Sequence, residues 1–277
     1  MNIKNILNEI EKFDPEVSDR LDSRRETIRS YTKSAGRLAL AAVPLALGGF
    51  FKKAYAGTNS TSSIVDVLNF ALTLEYLEAD YYIKGVATSG LIPGDRAKEA
   101  FVIIRDHEKA HVAFLQTTIQ SLGGTPVTKP KFDFTAGGTY PDVFSNYDTF
   151  LAVSQTFEDT GVRAYKGQAG NLISDNTILT AALQIHSVEA RHASHVRYKR
   201  YLRTNDESIR QWITNKSTAG VGPSVQASYN GEETTNQLGV EIVGINGFDI
   251  SMQDATESFD EPLTMDQVLA IVDPFIV

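Results

Sequence analysis

The chain contains no cysteine in its 277 residues. Disulfides, thiolate metal sites and cysteine nucleophiles are therefore excluded, and any bound metal must be held by carboxylate and imidazole, which suit Fe, Mn or Zn. Positive charge is also short: 26 Lys and Arg face 34 Asp and Glu, for a net charge of −8. No basic footprint of the kind that binds nucleic acid is present, and an excess of acid speaks for solubility before function. The apolar stretch near Leu38–Phe51 is short for a transmembrane helix. What remains is ordinary globular material, 42% hydrophobic and 22% charged, enough for one or two domains with a sizeable core.

Residues 1–56 read as a targeting segment and N-region. Ser23-Arg24-Arg25 precedes the apolar stretch, and Lys52-Lys53-Ala54-Tyr55-Ala56 follows it. The layout resembles a bacterial twin-arginine signal, with Ala54-x-Ala56 as a small-residue cleavage site. Thr27 stands where such signals usually carry Phe. The expectation is an exported, periplasmic bacterial protein, cleaved after Ala56 and without a stable membrane span thereafter. The alternatives are an uncleaved anchor and an amphipathic helix. Residues 57–63, rich in Ser, Thr and Asn, form a linker.

Four long helical patterns follow. The first, about 62–88, aligns Leu68, Ala71, Glu75, Glu78 and Tyr82; a turn through Pro93-Gly94 then offers Asp95 as an N-cap. The second, about 95–122, aligns Phe101, Ile104, Glu108, His111, Leu115 and Ile119 and stops at Gly123-Gly124. The third, about 147–171, aligns Leu151, Ser154, Glu158, Val162 and Tyr165. The fourth, about 175–203, opens at Ser174-Asp175-Asn176 and aligns Ala182, Ile185, Glu189, His192 and Val196.

Short links within each half predict two antiparallel hairpins. The long aperiodic segment 125–146 can cross the bundle end to end. The expected fold class is all-α, a four-helix bundle over 64–203 with one long crossover. Residues 204–277 form an irregular extension packed on the bundle, Gly/Ser/Thr/Asn-rich over 216–260, with a strand-like patch at Val240–Val243. Thr264-Met-Asp-Gln267 is a capping box opening a last helix to Val272.

Chemistry enters with Glu108-Lys-Ala-His111 and Glu189-Ala-Arg-His192. Residues three apart share a helix face, so each pair aims an oxygen and a nitrogen at one point. Each pair is preceded about thirty residues earlier by another acid on an apolar stripe, Glu75 and Glu158, and each of those is followed seven residues later by tyrosine, Tyr82 and Tyr165. Four unpaired carboxylates in one interior are prohibitively costly and cannot all ionise side by side. Two divalent cations neutralise four carboxylates in number and leave two neutral histidines as nitrogen donors. The cofactor expectation is therefore two Fe or Mn ions on Glu75, Glu108, His111, Glu158, Glu189 and His192.

The segments Glu75–Tyr82, Glu108–His111, Phe157–Tyr165 and Val188–His192 resemble the ferritin-like superfamily. They are most similar to ferritin-like domains grouped with desiccation-related proteins of plants and bacteria, as is the tail Phe259-Asp-Glu-Pro-Leu-Thr264 with Pro274-Phe275. The resemblance covers about 60–277. It implies that Glu75 and Glu158 are largely terminal ligands, that Glu108 and Glu189 bridge, and that His111 and His192 each bind one metal. It implies reaction only loosely, since such sites serve ferroxidation, peroxide reduction, catalase activity and oxygenation.

Other residues keep two readings. Glu78 competes with Glu75, three residues away on the same stripe. Tyr82 and Tyr165 are core aromatics or donors to a ligand carboxylate. His186 and His195 are placed as packing or outer residues, and His107, next to Glu108, is expected at the surface and pointing away. Arg105, Arg163, Arg191, Asp106 and Asp159 either pair near the ligands or form surface ion pairs worth little. The leading functional expectation is a redox metalloprotein that oxidises Fe(II) or consumes hydrogen peroxide, with O2 or H2O2 as small-molecule partner and its oligomeric state open. Storage in a closed shell, or stress protection with a structural metal, are the rivals.

Overall fold

The computed structural model describes residues 63–277. The expected export segment, its cleavage site and all but the last residue of the linker lie outside the described residues. Helix α1 (Ile64–Ala87) starts at a capping box in which the Ser63 hydroxyl accepts from Asp66 N–H while the Asp66 carboxylate accepts from Ser63 N–H. Helix α2 is Asp95–Ser121; here Gly94, at φ 77°, holds the cap position and Asp95 is the first helical residue. The chain reverses after Pro93 through a backbone conformation that glycine adopts at little cost, which displaces the expected Asp95 cap. At the far end Gly123 N–H donates to Gln120 O and Gly124 N–H to Ile119 O, a Schellman closure.

Helix α3 (Tyr147–Ala169) is capped by Asn146, and the two residues expected to extend it fall in a 3-10 turn, Gly170–Leu172. Helix α4 (Asn176–Thr204) is capped by Asp175 and ends at a left-handed Asn205. α1 pairs with α2, and α3 with α4, as two hairpins.

The hairpins meet through α1 and α3. Tyr81, late in α1, donates to Phe150 O, early in α3, at 2.8 Å. Leu172, just past α3, packs with Val67 and Leu68 at the start of α1. α1 and α3 are therefore antiparallel, so α2 and α3 run the same way and their connection must travel the length of the bundle. Residues 122–146 do so beside α1: Asn69 holds Thr125 O and Val127 N–H, Lys129 pairs with Asp80, and Lys84 Nζ lies 4.3 Å from the Phe144 ring centre. One end of the interior is aromatic, with Tyr81, Tyr82, Phe101, Phe150 and Phe157 in one cluster. The other is aliphatic, built on Leu68, Leu72, Leu115, Ile119 and Ile185.

α3 is buried on nearly every side, including a polar face of Gln155, Asp159 and Arg163. A helix buried all round needs partners on all sides, and residues 204–277 supply them. Arg163 donates to the carbonyls of Glu261, Ser228 and Asn230 and pairs with Glu232 at 2.7 Å. Asp159 accepts from Tyr229 at 2.7 Å and from Arg197 at 2.6 Å. Gly167 is required where Leu263 crosses, because a Cβ there would sit 1.9 Å from the Leu263 carbonyl oxygen.

The same segment holds a hairpin, β1 (Asn236–Gln237) with β2 (Val240–Glu241), which shortens the expected strand patch. Two short helices follow, α5 (Met252–Glu257) and α6 (Met265–Val272). α6 opens at the expected Thr264/Gln267 capping box. α5 is unexpected, since six residues are too few to show a period, yet its Ser251/Asp254 capping box is of the same kind. Phe275 then packs edge-on to Phe157, with ring centres 4.8 Å apart.

Candidate metal centre

Midway along the bundle each helix turns acid inward. Glu75 and Glu78 come from α1, Glu108 and His111 from α2, Glu158 from α3, and Glu189 and His192 from α4. All five glutamates are buried; His192 is 4% exposed, and the His111 side chain 12%. The six expected donors are thus brought together, and Glu78 joins them. Glu75 and Glu78 are not alternatives: both lie inside, because residues three apart on one helix share its face.

The geometry is one of convergence. His111 Nδ1 lies 3.1 Å from Glu108 Oε2, 3.2 Å from Glu75 Oε2 and 3.3 Å from Glu189 Oε1. His192 Nδ1 lies 2.8 Å from Glu108 Oε1 and 3.4 Å from Glu158 Oε2, at angles that make no hydrogen bond. One N–H cannot fully satisfy all of these oxygens at once. Glu108 Oε1, Glu158 Oε2, both oxygens of Glu189 and His192 Nδ1 are all buried without a hydrogen-bond partner. Buried polar atoms are almost always satisfied, and a cation is the partner that satisfies acceptors arriving from several directions.

Among the described residues, atoms within 4.8 Å of one another form two groups that can hold a metal ion. One is Glu75, Glu108, His111 and Glu189; the other is Glu108, Glu158, Glu189 and His192. Glu108 and Glu189 belong to both. A comparison with protein families matches residues 63–201, half of the chain, to the family described as a ferritin-like domain. The chain belongs to the ferritin-like family. No curated protein matches it.

The charge balance of this ferritin-like site is strained without a cation. Burial, reinforced by repulsion from neighbouring carboxylates, pushes Glu78 and Glu189 well above the usual carboxylate range. Burial also raises Glu75 to about 7 against the hydrogen bond from His111, and raises Glu158 against the pull of His192. Glu108 goes the other way: burial opposes its charge, but His111 and His192 hold it at about 2. The imidazoles mirror this. Burial disfavours their charge, yet the carboxylates hold His111 far above its ordinary range and His192 at about 11. Protons thus neutralise the metal-free cluster in place of cations.

The surrounding residues of the ferritin-like bundle divide cleanly. Tyr82 donates to Glu158 and Tyr165 to Glu75, so each tyrosine holds the glutamate of the opposite hairpin. Burial raises both phenols further, which keeps them protonated as donors. Gly161 on α3 leaves room for the acids: a Cβ there would lie 3.2 Å from Glu78 Oε1 and 3.4 Å from Glu189 Oε2. His186 faces Val162 O at 3.0 Å, and His195 packs edge-on to Phe101. Arg105 and Asp106 pair at the surface and Arg191 is exposed, whereas Arg163 and Asp159 anchor the extension instead of the centre.

His107 corrects its expectation. It is exposed, but its Nδ1 lies 2.9 Å from His192 Nε2, with the two rings nearly coplanar and edge to edge. Neighbours on a helix diverge by about 100°, not 180°, so a residue beside Glu108 can lean toward the adjacent helix. Glu78 was signalled by its place on the apolar stripe; nothing in the spacing signals the contact between His107 and His192.

Proposed function

We propose that this is a dinuclear carboxylate metalloprotein of redox type. One ion would be held by Glu75, Glu108, His111 and Glu189 and the other by Glu108, Glu158, Glu189 and His192, with Glu108 and Glu189 common to both. The observation that carries the reading is the overlap of two donor groups through two shared carboxylates whose oxygens find no hydrogen-bond partner. Four carboxylates match two divalent ions in charge. The fifth, Glu78, stays protonated under burial and its neighbours' repulsion, beside Gly161.

Bound Fe or Mn supplies one-electron redox chemistry in an oxygen-rich ligand field, which suits oxidation of Fe(II) as substrate or consumption of hydrogen peroxide. The chain's own part is positioning. Tyr82 and Tyr165 orient the two non-bridging glutamates by hydrogen bonds made from one hairpin to the other. The aromatic end of the core keeps water from one side of the site, and His111, the partly exposed ligand, marks the side nearest solvent.

The purified chain should take up about two Fe or Mn ions, the number that such bundles hold. Metal analysis showing no specific uptake, unchanged by His111→Ala and His192→Ala, sinks the proposal. Full loading without ferroxidase or peroxide-consuming activity assigns the metal a structural, stress-protective role instead, and a closed high-mass shell would point to storage. From the sequence alone we also propose export in a bacterium with removal of residues 1–56; N-terminal sequencing of the secreted form tests it. No helix among the described residues is long and apolar enough to cross a membrane.

A further inference from the structure

We propose that His107 is a positioning residue for the metal centre. It selects the tautomer of His192, and it makes the two metal positions unequal. The inference rests on the dinuclear reading above.

His192 presents its two ring nitrogens to different neighbours. Its Nδ1 faces Glu108 Oε1 and Glu158 Oε2, so it must present a lone pair when it binds a cation. The ring proton of neutral His192 then sits on Nε2. That nitrogen lies 2.9 Å from His107 Nδ1. His107 Nδ1 therefore accepts, and His107 keeps its own proton on Nε2. The rings are also nearly coplanar, 16° from parallel and meeting edge to edge with centres 5.2 Å apart, so the contact fixes both the direction and the tilt of His192.

Three features make this more than a chance contact. α2 and α4 approach one another little along their backbones, so they meet through side chains, and the two rings add a link to those of His192 with Glu108 and His111 with Glu189. The acceptor is an imidazole, whereas ligand histidines usually donate to a carboxylate, carbonyl or water. A neutral imidazole draws less on the donated proton than an anion does, and so adds less to the basicity of His192. Finally, His111 has no counterpart: among the described residues its hydrogen-bond contacts are those of Nδ1 with Glu75 and Glu108. One histidine is held through its second ring nitrogen by another imidazole; the other is held through Nδ1 alone among the described residues.

The test is a Mn(II) titration of the full-length chain and three variants, following free Mn(II) by electron paramagnetic resonance, with Co(II) absorption as a second signature. His107→Phe keeps an aromatic ring in place but removes the acceptor. His107→Gln keeps an acceptor oxygen without the ring, and His107→Ala removes both. In His107→Phe one ion should weaken roughly 10- to 100-fold, the usual cost of losing such a partner, while the other keeps its affinity. Only part of the Co(II) spectrum should change, and His107→Gln should recover most of the loss. Unchanged affinities in His107→Phe, equal weakening of both ions, or a His107→Gln no better than His107→Ala would overturn the proposal. Wild-type chain that takes up no Mn(II) would instead overturn the metal centre itself and this inference with it.

Discussion

At the scale of single residues, the proposed centre rests on donors that would never touch a cation. Tyr165 gives its hydroxyl to Glu75 across the bundle, and replacing it by Phe keeps the ring while leaving a buried carboxylate oxygen without its donor. Tyr165→Phe should lower metal affinity about tenfold with the fold intact; an unchanged Mn(II) titration would refute the positioning role. Protons belong to the same scale. His111 is held far up and His192 at about 11, so both carry protons in the metal-free chain at neutral pH, yet ligation requires them neutral. Metal uptake should therefore release protons, and affinity should rise with pH. Calorimetry in two buffers of different ionisation enthalpy measures this directly, and identical heats in both would contradict it.

At the scale of elements, α3 carries two duties on opposite faces. One face presents Glu158 and Tyr165 to the centre; the other holds Asp159, Arg163 and Gly167 against the extension. Gly167→Ala places a methyl against the Leu263 backbone, which cannot swing aside as a side chain can. The expected loss is roughly 1–3 kcal/mol, as for other overpacked sites, or several degrees in melting temperature. Because the clash lies on the face away from the ligands, metal stoichiometry should stay the same. A variant that melts like wild type would show that the Leu263 backbone does not press on α3 as described.

At the scale of the whole molecule, the metal-free chain works against its own interior. Glu75, Glu78, Glu158, Glu189, His111 and His192 all titrate above their ordinary values. A raised value means stability that is complete below the unfolded-state value, near 4.5 for glutamate and 6.5 for histidine. It is lost as pH climbs through the folded one, here about 7 for Glu75 and about 11 for His192. Glu108, lowered to about 2, has the opposite sign but acts only in acid, below 4.5. The chelated protein should therefore lose melting temperature steadily from pH 5 to pH 10, and metal should restore most of it by mass action. Glu78→Gln should raise the stability of the metal-free chain at neutral pH, since it removes one acid that folding forces to stay protonated. Thermal melts across that range check both statements, and a flat profile for the chelated chain would contradict the first.

The sequence by itself determined the four helices, the long connection and the six donors on Glu75, Glu108, His111, Glu158, Glu189 and His192. All of these are written in periods and spacings along one helix at a time, which is the range over which a linear pattern carries geometry. Glu78 was legible as a candidate on the same stripe, but not as a companion of Glu75. The tertiary structure alone decided matters of which helix stands beside which. It crossed Tyr82 to Glu158 and Tyr165 to Glu75, and it leaned His107 onto His192 across α2 and α4. It also turned Arg163 and Asp159 away from the candidate ligands toward residues 204–277. Spacing tells a residue's face; only packing tells what that face meets.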